Sequence, residues 1–457
     1  MVNLNNLIKV REYYAKGHTM AYSFRKEQLT KLKKAVILHE AGIFEALKSD
    51  LKKSKEECWV TENGFLISEI SHAINKLSQW MARKRVSTNL LNLPSKSFLM
   101  PEPLGVVLII SPWNYPFQLL LAPLVGAIAA GNCAVLKPSE FAPATSAVIK
   151  KIIEETFDPA YILFTEGDGS IVIPEMMGQF VFDHVFYTGS TVVGKLIYQY
   201  AAKNLVPVTL ELGGKTPCIV EADADITVAA KRISMPKFSN AGQMCVAPDF
   251  LLVHSSKKQD LVDAIIQNIR NFFGADPSTS ADYCKIINNK QFDRLISLMS
   301  GGRLIYGGNH DRDLLYISPT IIEVTPESAL MQEEVFGPIL PVMTFKNRED
   351  ALKIVLQHKN PLAFYIFTSS KSHEQFWLEN VPFGGGCVNN ASWHLTNPNL
   401  PFGGRGFSGM GNYHGKFSFD TFSHMKGIMK TPTWFDPSVK YPPFVGKLNL
   451  FKKIIGR

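Results

Sequence analysis

The chain has 457 residues, of which 46% are hydrophobic and 19% charged; this is enough for two or three domains and excludes a disordered chain. Its formal net charge of +8 at pH 7 suits an anionic cofactor or a membrane surface. We expect no nucleic-acid partner, because the sequence has no long basic run, and we interpret the lysine-rich stretches 31–34 and 52–55 as solvated helix faces.

Helices are predicted for residues 1–85. Apolar residues recur at helical spacing from Leu29 to Leu51 and again from Ile67 to Trp80. Residues 86–103 are polar and then extended, and they contain three prolines, which indicates a linker or a strand that leaves the domain.

From residue 105 onward, strand and helix patterns alternate, which predicts βαβ units and a doubly wound sheet with ligands at the carboxyl ends of its strands. Residues 104–136 carry no charge, but the turn at 111–116 divides them, so we predict a buried strand, helix and strand there and not a membrane span. The predicted strands are Gly105–Ile110, Cys133–Leu136, Tyr161–Phe164 and His184–Tyr187, and the predicted helices are Phe117–Ala130, Ala144–Phe157, Ile171–Met177 and Thr191–Ala202.

A second α/β series is predicted to begin with the strand Thr209–Leu212. Its further strands are Cys218–Val220, Phe250–His254, Ile339–Phe345 and Ala363–Phe367, and its helices are Ile226–Lys237, Gln259–Phe272 and Asp350–Gln357.

The C-terminal tail, residues 431–457, places apolar side chains at helical spacing among basic ones. Two interpretations stay open: a short helix that lies at a membrane interface, or a tail that folds back on the body or is disordered. The apolar residues are Phe444, Leu448, Phe451 and Ile455, and the basic ones are Lys447, Lys452, Lys453 and Arg457.

Of the six cysteines, Cys245 is the candidate nucleophile, because it ends the small polar run Phe238–Cys245 within apolar sequence. A buried structural cysteine is the alternative. We expect no metal site, since the sequence has no C-x-x-C pair and no cysteine near a histidine pair. No secretory signal follows Met1, so we expect free thiols in a reducing compartment, the cytoplasm.

Two patterns suggest a dinucleotide site. Gly189, Ser190 and Gly194 form a turn between a predicted strand and helix, where free N–H groups bind a pyrophosphate, although Thr191 stands at the middle glycine of G-x-G-x-x-G. Lys137 and Glu140 directly follow a strand and can meet ribose hydroxyls, with a solvated turn as the alternative.

Two further polar residues stand in apolar sequence. Glu211 should have a raised pKa that suits a general base; a buried glutamate paired with a lysine is the alternative. Asn114 lies between Pro112 and Pro116, which hold it rigidly enough to donate a hydrogen bond to an oxyanion, with a structural turn as the alternative.

Taken together, these motifs resemble the aldehyde dehydrogenase superfamily from about residue 20 to 430. The run Pro401–Phe419 looks like the class 3 branch, whose members act on fatty and aromatic aldehydes. The matching motifs, in order, are Asn114, Lys137 with Glu140, Gly189–Gly194, Glu211, Cys245 and Glu334–Pro338.

The resemblance implies a role for each of these residues. Cys245 would be the nucleophile, Asn114 and the backbone N–H of Cys245 the oxyanion hole, and Glu211 the base that activates water. The cofactor would be NAD or NADP, a choice left open because Glu140 should repel a 2′-phosphate unless this exposed, mobile carboxylate swings aside. The implied cofactor contacts are Trp113, Lys137, Glu140, Gly189, Ser190, Gly194, Leu212, Glu334 and Phe336.

The implied fold is α/β and aldehyde dehydrogenase-like. It comprises a Rossmann-type cofactor domain (1–85 and 104–208), an α/β catalytic domain (209–390) and a small β oligomerisation arm (86–103 and 391–430), followed by the tail. The resemblance also implies a homodimer whose sheet is extended by the segments 86–103 and 415–430.

The predicted reaction oxidises a medium- or long-chain aliphatic or an aromatic aldehyde to the carboxylic acid, through a thiohemiacetal and a thioester on Cys245. The nearest alternative is an acylating, coenzyme A-dependent enzyme, although such relatives typically lack the glutamate found at Glu211. A catalytically silent protein is a further alternative, against which Cys245, Asn114 and Glu211 argue. We expect a soluble protein with at most weak peripheral membrane contact through Phe444–Ile455.

Overall fold

The computed structural model describes residues 3–455. Its α-helices, in chain order, are α1 (Leu4–Ala15), α2 (Tyr22–Leu38), α3 (Glu40–Leu51), α4 (Lys55–Cys58), α5 (Gly64–Met81), α6 (Gln118–Ala130), α7 (Pro143–Thr156), α8 (Gly169–Gln179), α9 (Thr191–Ala202), α10 (Ile226–Phe238), α11 (Lys258–Phe273), α12 (Asn289–Leu298), α13 (Ala329–Gln332), α14 (Arg348–Gln357), α15 (Lys371–Asn380), α16 (Lys416–Thr421) and α17 (Leu448–Ile455).

The strands are β1 (Lys84–Val86), β2 (Lys96–Pro103), β3 (Val106–Ile110), β4 (Cys133–Lys137), β5 (Ile162–Phe164), β6 (His184–Thr188), β7 (Val208–Glu211), β8 (Pro217–Val220), β9 (Phe250–His254), β10 (Arg303–Tyr306), β11 (His310–Asp311), β12 (Tyr316–Ile317), β13 (Thr320–Glu323), β14 (Ile339–Phe345), β15 (Ala363–Phe367), β16 (Gly385–Val388), β17 (Gly409–Met410) and β18 (Ser423–Lys430). The strands and helices predicted from the sequence are all present, with ends that differ by a few residues. The α/β fold class is therefore confirmed.

The first sheet has the strand order β17-β7-β6-β3-β4-β5 and is parallel apart from β17. Every residue of β3, α6 and β4 is buried. The uncharged stretch 104–136 is thus a buried strand, helix and strand, as predicted, because the parallel sheet is covered on both faces. Helix α6 ends at Gly131, whose φ of 94° lies in the left-handed region that favours glycine.

The second sheet has the order β10-β13-β14-β9-β8-β15-β16. The first of these strands along the chain is β8. The prediction that Thr209–Leu212 opens the second series is therefore wrong. Strand β7 instead pairs in parallel with β6, with Thr188 opposite Glu211, and so belongs to the first sheet. The physical reason is that β7 completes a βαβ unit with β6 and α9, a relation that the hydrophobic pattern of a single strand does not reveal.

A third, antiparallel sheet joins segments that lie far apart in the sequence. Its order is β1-β2-β18, and β2 pairs with β18 along eight residues, from Lys96 opposite Lys430 to Pro103 opposite Ser423. Residues 96–103 therefore form a strand, which was one of the two interpretations of this segment. Within residues 3–455, the outer edge of β18 pairs with no other strand.

The tail ends in α17, none of whose residues is buried. Phe444 is 51% exposed and Leu448 is 62% exposed, so the apolar side chains are not packed on the body. Arg457 lies outside the described residues. None of the helices between residues 3 and 455 has the length and apolar character needed to cross a membrane.

Candidate active site

The carboxyl ends of β3, β4, β6 and β7 open into one cavity of about 910 Å³. A ligand site at this edge is what a doubly wound sheet predicts. The cavity is lined by eleven of the twelve predicted site residues: Trp113, Asn114, Lys137, Glu140, Gly189, Ser190, Glu211, Leu212, Cys245, Glu334 and Phe336.

Gly194 is the exception and does not line the cavity. A Cβ at this position would lie 2.6 Å from Cδ2 of Leu212, so the Leu212 side chain would have to shift to admit it. The glycine therefore lets α9 pack against Leu212, and Leu212 itself lines the cavity. Ser190 caps α9 by accepting a hydrogen bond from the backbone N–H of Val193 at 3.4 Å. Both residues line the cavity, so the N-terminus of α9 faces it.

The loop that carries Cys245 has an unusual backbone. Asn240 and Ala241 have φ values of 49° and 50°, in the left-handed region. Gly242 follows with φ 70°, and a Cβ there would collide with the carbonyl oxygen of Gly337, so only glycine fits. This left-handed run turns the chain sharply after α10 and delivers Cys245 into the cavity.

Hydrogen bonds fix the loop on both sides of Cys245. The Gln243 side chain donates to the carbonyl oxygens of Asn240 and Lys285, both at 3.0 Å, and accepts from the backbone N–H of Ile287 at 3.0 Å. On the other side, the Tyr365 hydroxyl donates to the carbonyl oxygen of Val246 at 2.6 Å. The thiol is thus held on a rigid loop, which its predicted role requires.

Asn114 lies directly beside this loop. Its side chain is buried, and its Nδ2 donates to the carbonyl oxygen of Gln243 at 3.0 Å. One amide hydrogen makes this bond, and the second is available to a ligand in the cavity that Asn114 and Cys245 both line.

Glu211 ends β7 and is 2% exposed. Neither carboxylate oxygen has a hydrogen-bond partner among the described residues, and burial raises the pKa of Glu211 well above its usual range. The nearby Lys215 pairs instead with Asp249 at 2.5 Å. The alternative of a glutamate paired with a lysine is therefore wrong, and the unpartnered carboxylate is open to the cavity.

The Cys245 thiol is strongly held in its protonated form. Burial is the main cause, followed by the negative charges of Glu334 and Glu211, and together they raise the pKa of Cys245 to about 12. The backbone N–H groups of Cys245 and Val246 act in the opposite direction, because they stabilise the thiolate. Forming the thiolate therefore costs less when water reaches the sulfur, or when one of the neighbouring negative charges is removed or balanced.

Replacing Glu334 with Gln is expected to increase the reactivity of Cys245 severalfold. The pKa of Glu334 is raised to about 8 by burial, so above that pH its charge opposes the thiolate, and the neutral amide removes this opposition. The measurement is the rate of iodoacetamide labelling of the Cys245 peptide well above pH 8, followed by mass spectrometry. Glu333→Gln is the matched control, because Glu333 is exposed and pairs with Arg294. Equal labelling rates in the Glu334→Gln and unmodified chains would contradict this account.

Lys137 and Glu140 form one unit at the carboxyl end of β4. Lys137 is 2% exposed, and its Nζ donates to the carbonyl oxygen of Pro138 at 2.6 Å and to Oε2 of Glu140 at 3.1 Å. The solvated-turn interpretation is therefore wrong for Lys137. The Oε1 of Glu140 accepts from the backbone N–H of Gly169 at 3.1 Å, so this exposed carboxylate is tied at both oxygens and is less mobile than expected.

Glu334 and Phe336 approach the cavity from the second sheet. The Glu334 carboxylate lies against Gly213 and accepts a hydrogen bond from the backbone N–H of Gly214. Phe336 has a φ of 48°, rare for a bulky residue, and its ring packs edge-on against Trp113 with ring centroids 5.4 Å apart. These contacts join the two α/β halves across the cavity.

Several cavity residues lacked a recognisable signal in the sequence. Tyr413 and His414 stood inside the run Pro401–Phe419 but had no assigned role. Lys53 lies beside the cavity wall and is 1% exposed, so the solvated-helix interpretation of 52–55 is wrong for this lysine. The further lining residues without a predicted role include Phe65, Tyr115, Leu119, Trp393, Leu395 and Phe402.

Comparisons with known proteins identify the family of this chain. The sequence profile of the aldehyde dehydrogenase family matches residues 10–428. The 4,4'-diaponeurosporen-aldehyde dehydrogenase of Staphylococcus aureus is 47% identical and covers 98% of this chain and 99% of the relative. Aldehyde dehydrogenase family 3 member H1 of Arabidopsis thaliana is 42% identical, covering 99% and 94%. The dimeric NADP-preferring aldehyde dehydrogenase of Canis lupus familiaris is 40% identical, covering 96% and 98%.

Among solved structures, the substrate-bound state of Staphylococcus aureus AldH superposes with a TM-score of 0.96 at 46% identity, covering 99% of each chain. The chain belongs to the aldehyde dehydrogenase family. Within the family it is class 3-like, and it is an NAD(P)-dependent oxidoreductase that acts on aldehydes. The comparisons give no support to the acylating alternative.

Proposed function

We propose that Cys245, Asn114 and Glu211 carry the aldehyde oxidation of this chain. The observation that supports this most directly is their meeting in one cavity. The Asn114 amide bonds to the carbonyl two residues before Cys245, and the unpartnered carboxylate of Glu211 is close enough to raise the pKa of the thiol.

The proposed reaction begins when the Cys245 thiol loses its proton to solvent and the thiolate sulfur attacks the aldehyde carbon. The resulting oxyanion accepts hydrogen bonds from Nδ2 of Asn114 and from the backbone N–H of Cys245. Collapse of this intermediate expels a hydride and leaves a thioester on Cys245. Glu211 then takes a proton from a water molecule, the hydroxide attacks the thioester carbon, and the carboxylic acid leaves as the Cys245 sulfur is released.

When bound, NAD or NADP would supply the acceptor for this hydride. In the proposed arrangement, Ser190 and the N-terminus of α9 would hold the pyrophosphate of the cofactor, Lys137 and Glu140 would hold the adenosine ribose, and Glu334 would hold the nicotinamide ribose. The buried lysine, the N-terminus of α9 at the cavity and the paired rings of Trp113 and Phe336 suit an anionic dinucleotide with aromatic ends. The predicted contact of Gly194 becomes an indirect one, through Leu212.

The substrate we propose is a medium- or long-chain aliphatic or an aromatic aldehyde. The cavity wall supports this, because it includes apolar and aromatic side chains such as Phe65, Leu119 and Trp393. The test is a steady-state panel of aliphatic and aromatic aldehydes with NAD and with NADP, and kcat/KM should rise from acetaldehyde to longer chains. A preference for short, polar aldehydes would contradict the proposal.

We also propose a homodimer, supported by the open edge of β18, by Val192 on α9, which is 75% exposed, and by the dimeric relative from Canis lupus familiaris. Light scattering should give about twice the chain mass of 51.0 kDa.

We propose a domain division in which residues 86–103 and 391–430 form the oligomerisation arm and the catalytic domain ends at residue 390. The pairing of β7 favours a cofactor domain that runs to Glu211.

We propose that the protein works in the cytoplasm, because all six cysteines, each within residues 3–455, are free thiols.

For the tail we propose weak contact with anionic membrane surfaces. Phe444 and Leu448 are exposed, and Lys452 and Lys453 lie with Leu448 on the short helix α17. The full chain is expected to sediment with anionic vesicles more than a chain truncated to 1–440, and the difference should shrink as salt is added. The matched control is Leu448→Glu in the full chain, which should behave like the truncation. Equal sedimentation of the full and truncated chains would dispose of the membrane contact.

A further inference from the structure

A buried pair of charges lies directly behind Asn114, and the reaction proposed above does not use it. The side chains of Lys53 and Glu62 are both fully buried, and Nζ of Lys53 lies 2.6 Å from Oε1 of Glu62. Buried charges are costly unless their geometry is good and their remaining bonding groups are satisfied. The other contacts of the pair therefore bear on its role.

Lys53 contacts the cavity wall at two adjacent residues. Its Nζ donates to the carbonyl oxygen of Asn114 at 3.3 Å and lies 3.9 Å from the ring centroid of Tyr115. Asn114 and Tyr115 both line the cavity. The ammonium is thus held by a carboxylate, a carbonyl oxygen and an aromatic face, and two of these three partners belong to the turn that presents the oxyanion donor.

Glu62 fixes the other side of the same turn. Its Oε2 accepts from the backbone N–H of Gln118 at 2.9 Å, at the first residue of α6. A carboxylate at a helix N-terminus is favourable, because it meets unsatisfied N–H groups and the positive end of the helix dipole. The Lys53–Glu62 pair therefore bridges the backbone on the two sides of Tyr115.

A second carboxylate ties the turn to the cysteine loop. Oε1 of Glu57 accepts from the backbone N–H of Asn240 at 2.8 Å. Nδ2 of Asn240 in turn donates to the carbonyl oxygen of Asn114 at 2.8 Å and to that of Gln243 at 3.1 Å. The carbonyl of Asn114 thus accepts hydrogen bonds from Lys53 and from Asn240, which sets the orientation of its peptide and of the side chain that it carries.

We propose that Lys53 is a positioning residue for the oxyanion site. By holding the carbonyl of Asn114, it aims the second amide hydrogen of Asn114 at the place where the aldehyde oxygen becomes negative. Lys53 touches neither the substrate nor the cofactor in this role, and the inference rests on the proposed function of Asn114. Small displacements of a donor matter because the stabilisation of an oxyanion depends on preorganised geometry.

The test is a double-mutant cycle between Lys53→Met and Asn114→Ala. Because the loss of one oxyanion donor costs about 10²–10³ in kcat, Lys53→Met is expected to lower kcat by about tenfold to a hundredfold, with little change in the KM for the cofactor. In the Asn114→Ala background, the same change should have almost no further effect. A loss by the same factor in both backgrounds would show that Lys53 does not act through Asn114 and would overturn the proposal.

A second variant separates positioning from folding. Lys53→Met leaves the Glu62 charge buried without its partner, so this chain should melt at a lower temperature. Lys53→Met/Glu62→Gln removes both charges and should regain thermal stability while kcat stays low. Recovery of kcat together with stability would mean that the pair is only structural, which also overturns the proposal.

Lys52→Met is the matched control, because its ammonium donates to the carbonyl oxygen of Ser278 and lies away from the Asn114 turn. It should keep the kcat of the unmodified chain, and a loss equal to that of Lys53→Met would count against the proposal. The Asn114→Ala chain alone distinguishes the two levels of the argument. Full activity of that chain would reject the proposed role of Asn114, and the inference about Lys53 would fall with it.

Discussion

Replacing Cys245 with Ala is expected to abolish aldehyde oxidation. The sulfur is the atom that bonds to the aldehyde carbon, and no other cysteine lines the cavity among residues 3–455. Removing a nucleophile from an assembled site costs on the order of 10⁵–10⁶ in kcat, so the remaining rate should fall below detection in an NADH absorbance assay. The fold should persist, because the loop is held by Gln243 and Tyr365 and not by the thiol.

Cys387→Ala is the control for this experiment. Cys387 is also half-buried, and its sulfur lies 3.6 Å from Nδ1 of His394, but it does not line the cavity. The Cys387→Ala chain should keep its activity, and both variants should keep the circular dichroism spectrum of the unmodified chain. Measurable turnover by a folded Cys245→Ala chain would refute the assignment of the nucleophile.

The parts of the site that the sequence could predict are those determined by local chemistry. Glu211 stands in an apolar strand, so its raised pKa follows from the sequence, and Ser190 follows a strand and opens a helix in the same local way. Cys245 and Asn114 carried weak signals by themselves, and the order of the motifs along the chain connected them. Their meeting in one cavity depends on the left-handed turn at Asn240–Gly242, which no propensity predicts.

Long-range pairing explains what the sequence could not predict. Lys53 resembled any lysine of a charged helix end. Only its pairing with Glu62, a buried residue within the π-helical turn Trp59–Asn63, places it in the interior. Strand β7 had the pattern of a buried strand, but its sheet is decided by its neighbours β6 and β17. The sequence predicted that Glu140 is a mobile surface carboxylate. In the structure, the backbone N–H of Gly169, in α8, donates a second hydrogen bond to it. These errors share one cause, since each depends on a contact between distant segments.

Replacing Glu211 with Gln is expected to separate hydride transfer from hydrolysis. The thioester should still form, because Cys245 and Asn114 remain, so each active site should release about one NADH in a burst. Turnover should then slow by about 10²–10⁴, the usual contribution of a general base, because the amide cannot take a proton from water. Stopped-flow absorbance measures the burst, and mass spectrometry of the quenched protein should find the acyl group on Cys245.

The pH dependence tests the same assignment. As a base, Glu211 must be deprotonated, so turnover of the unmodified chain should fall as the pH drops through the raised pKa of this carboxyl. The Glu211→Gln chain should lose this dependence.

The thermal stability of the unmodified chain should depend on pH in the opposite direction and fall as the pH rises. A carboxyl whose pKa is higher in the folded than in the unfolded chain contributes stability below the unfolded pKa, and that stability is lost as the pH rises through the folded pKa. The glutamine variant should therefore melt at a higher temperature than the unmodified chain at alkaline pH, which excludes unfolding as the cause of its slow turnover.

Glu69→Gln is the matched control for the loss of a buried carboxylate. Burial also raises the pKa of Glu69, but its Oε1 accepts from the backbone N–H of Gly415 at 2.7 Å, and the residue does not line the cavity. Its glutamine variant keeps this acceptor and should turn over normally. If Glu211→Gln turned over as fast as Glu69→Gln, water would be activated by another group. Glu211 at the end of β7 would then be a buried, unpartnered carboxyl group with no role in the reaction. The assignment of Glu211 as the base predicts a different result. Only the Glu211→Gln chain should show the burst of NADH, and the acyl group should then accumulate on Cys245.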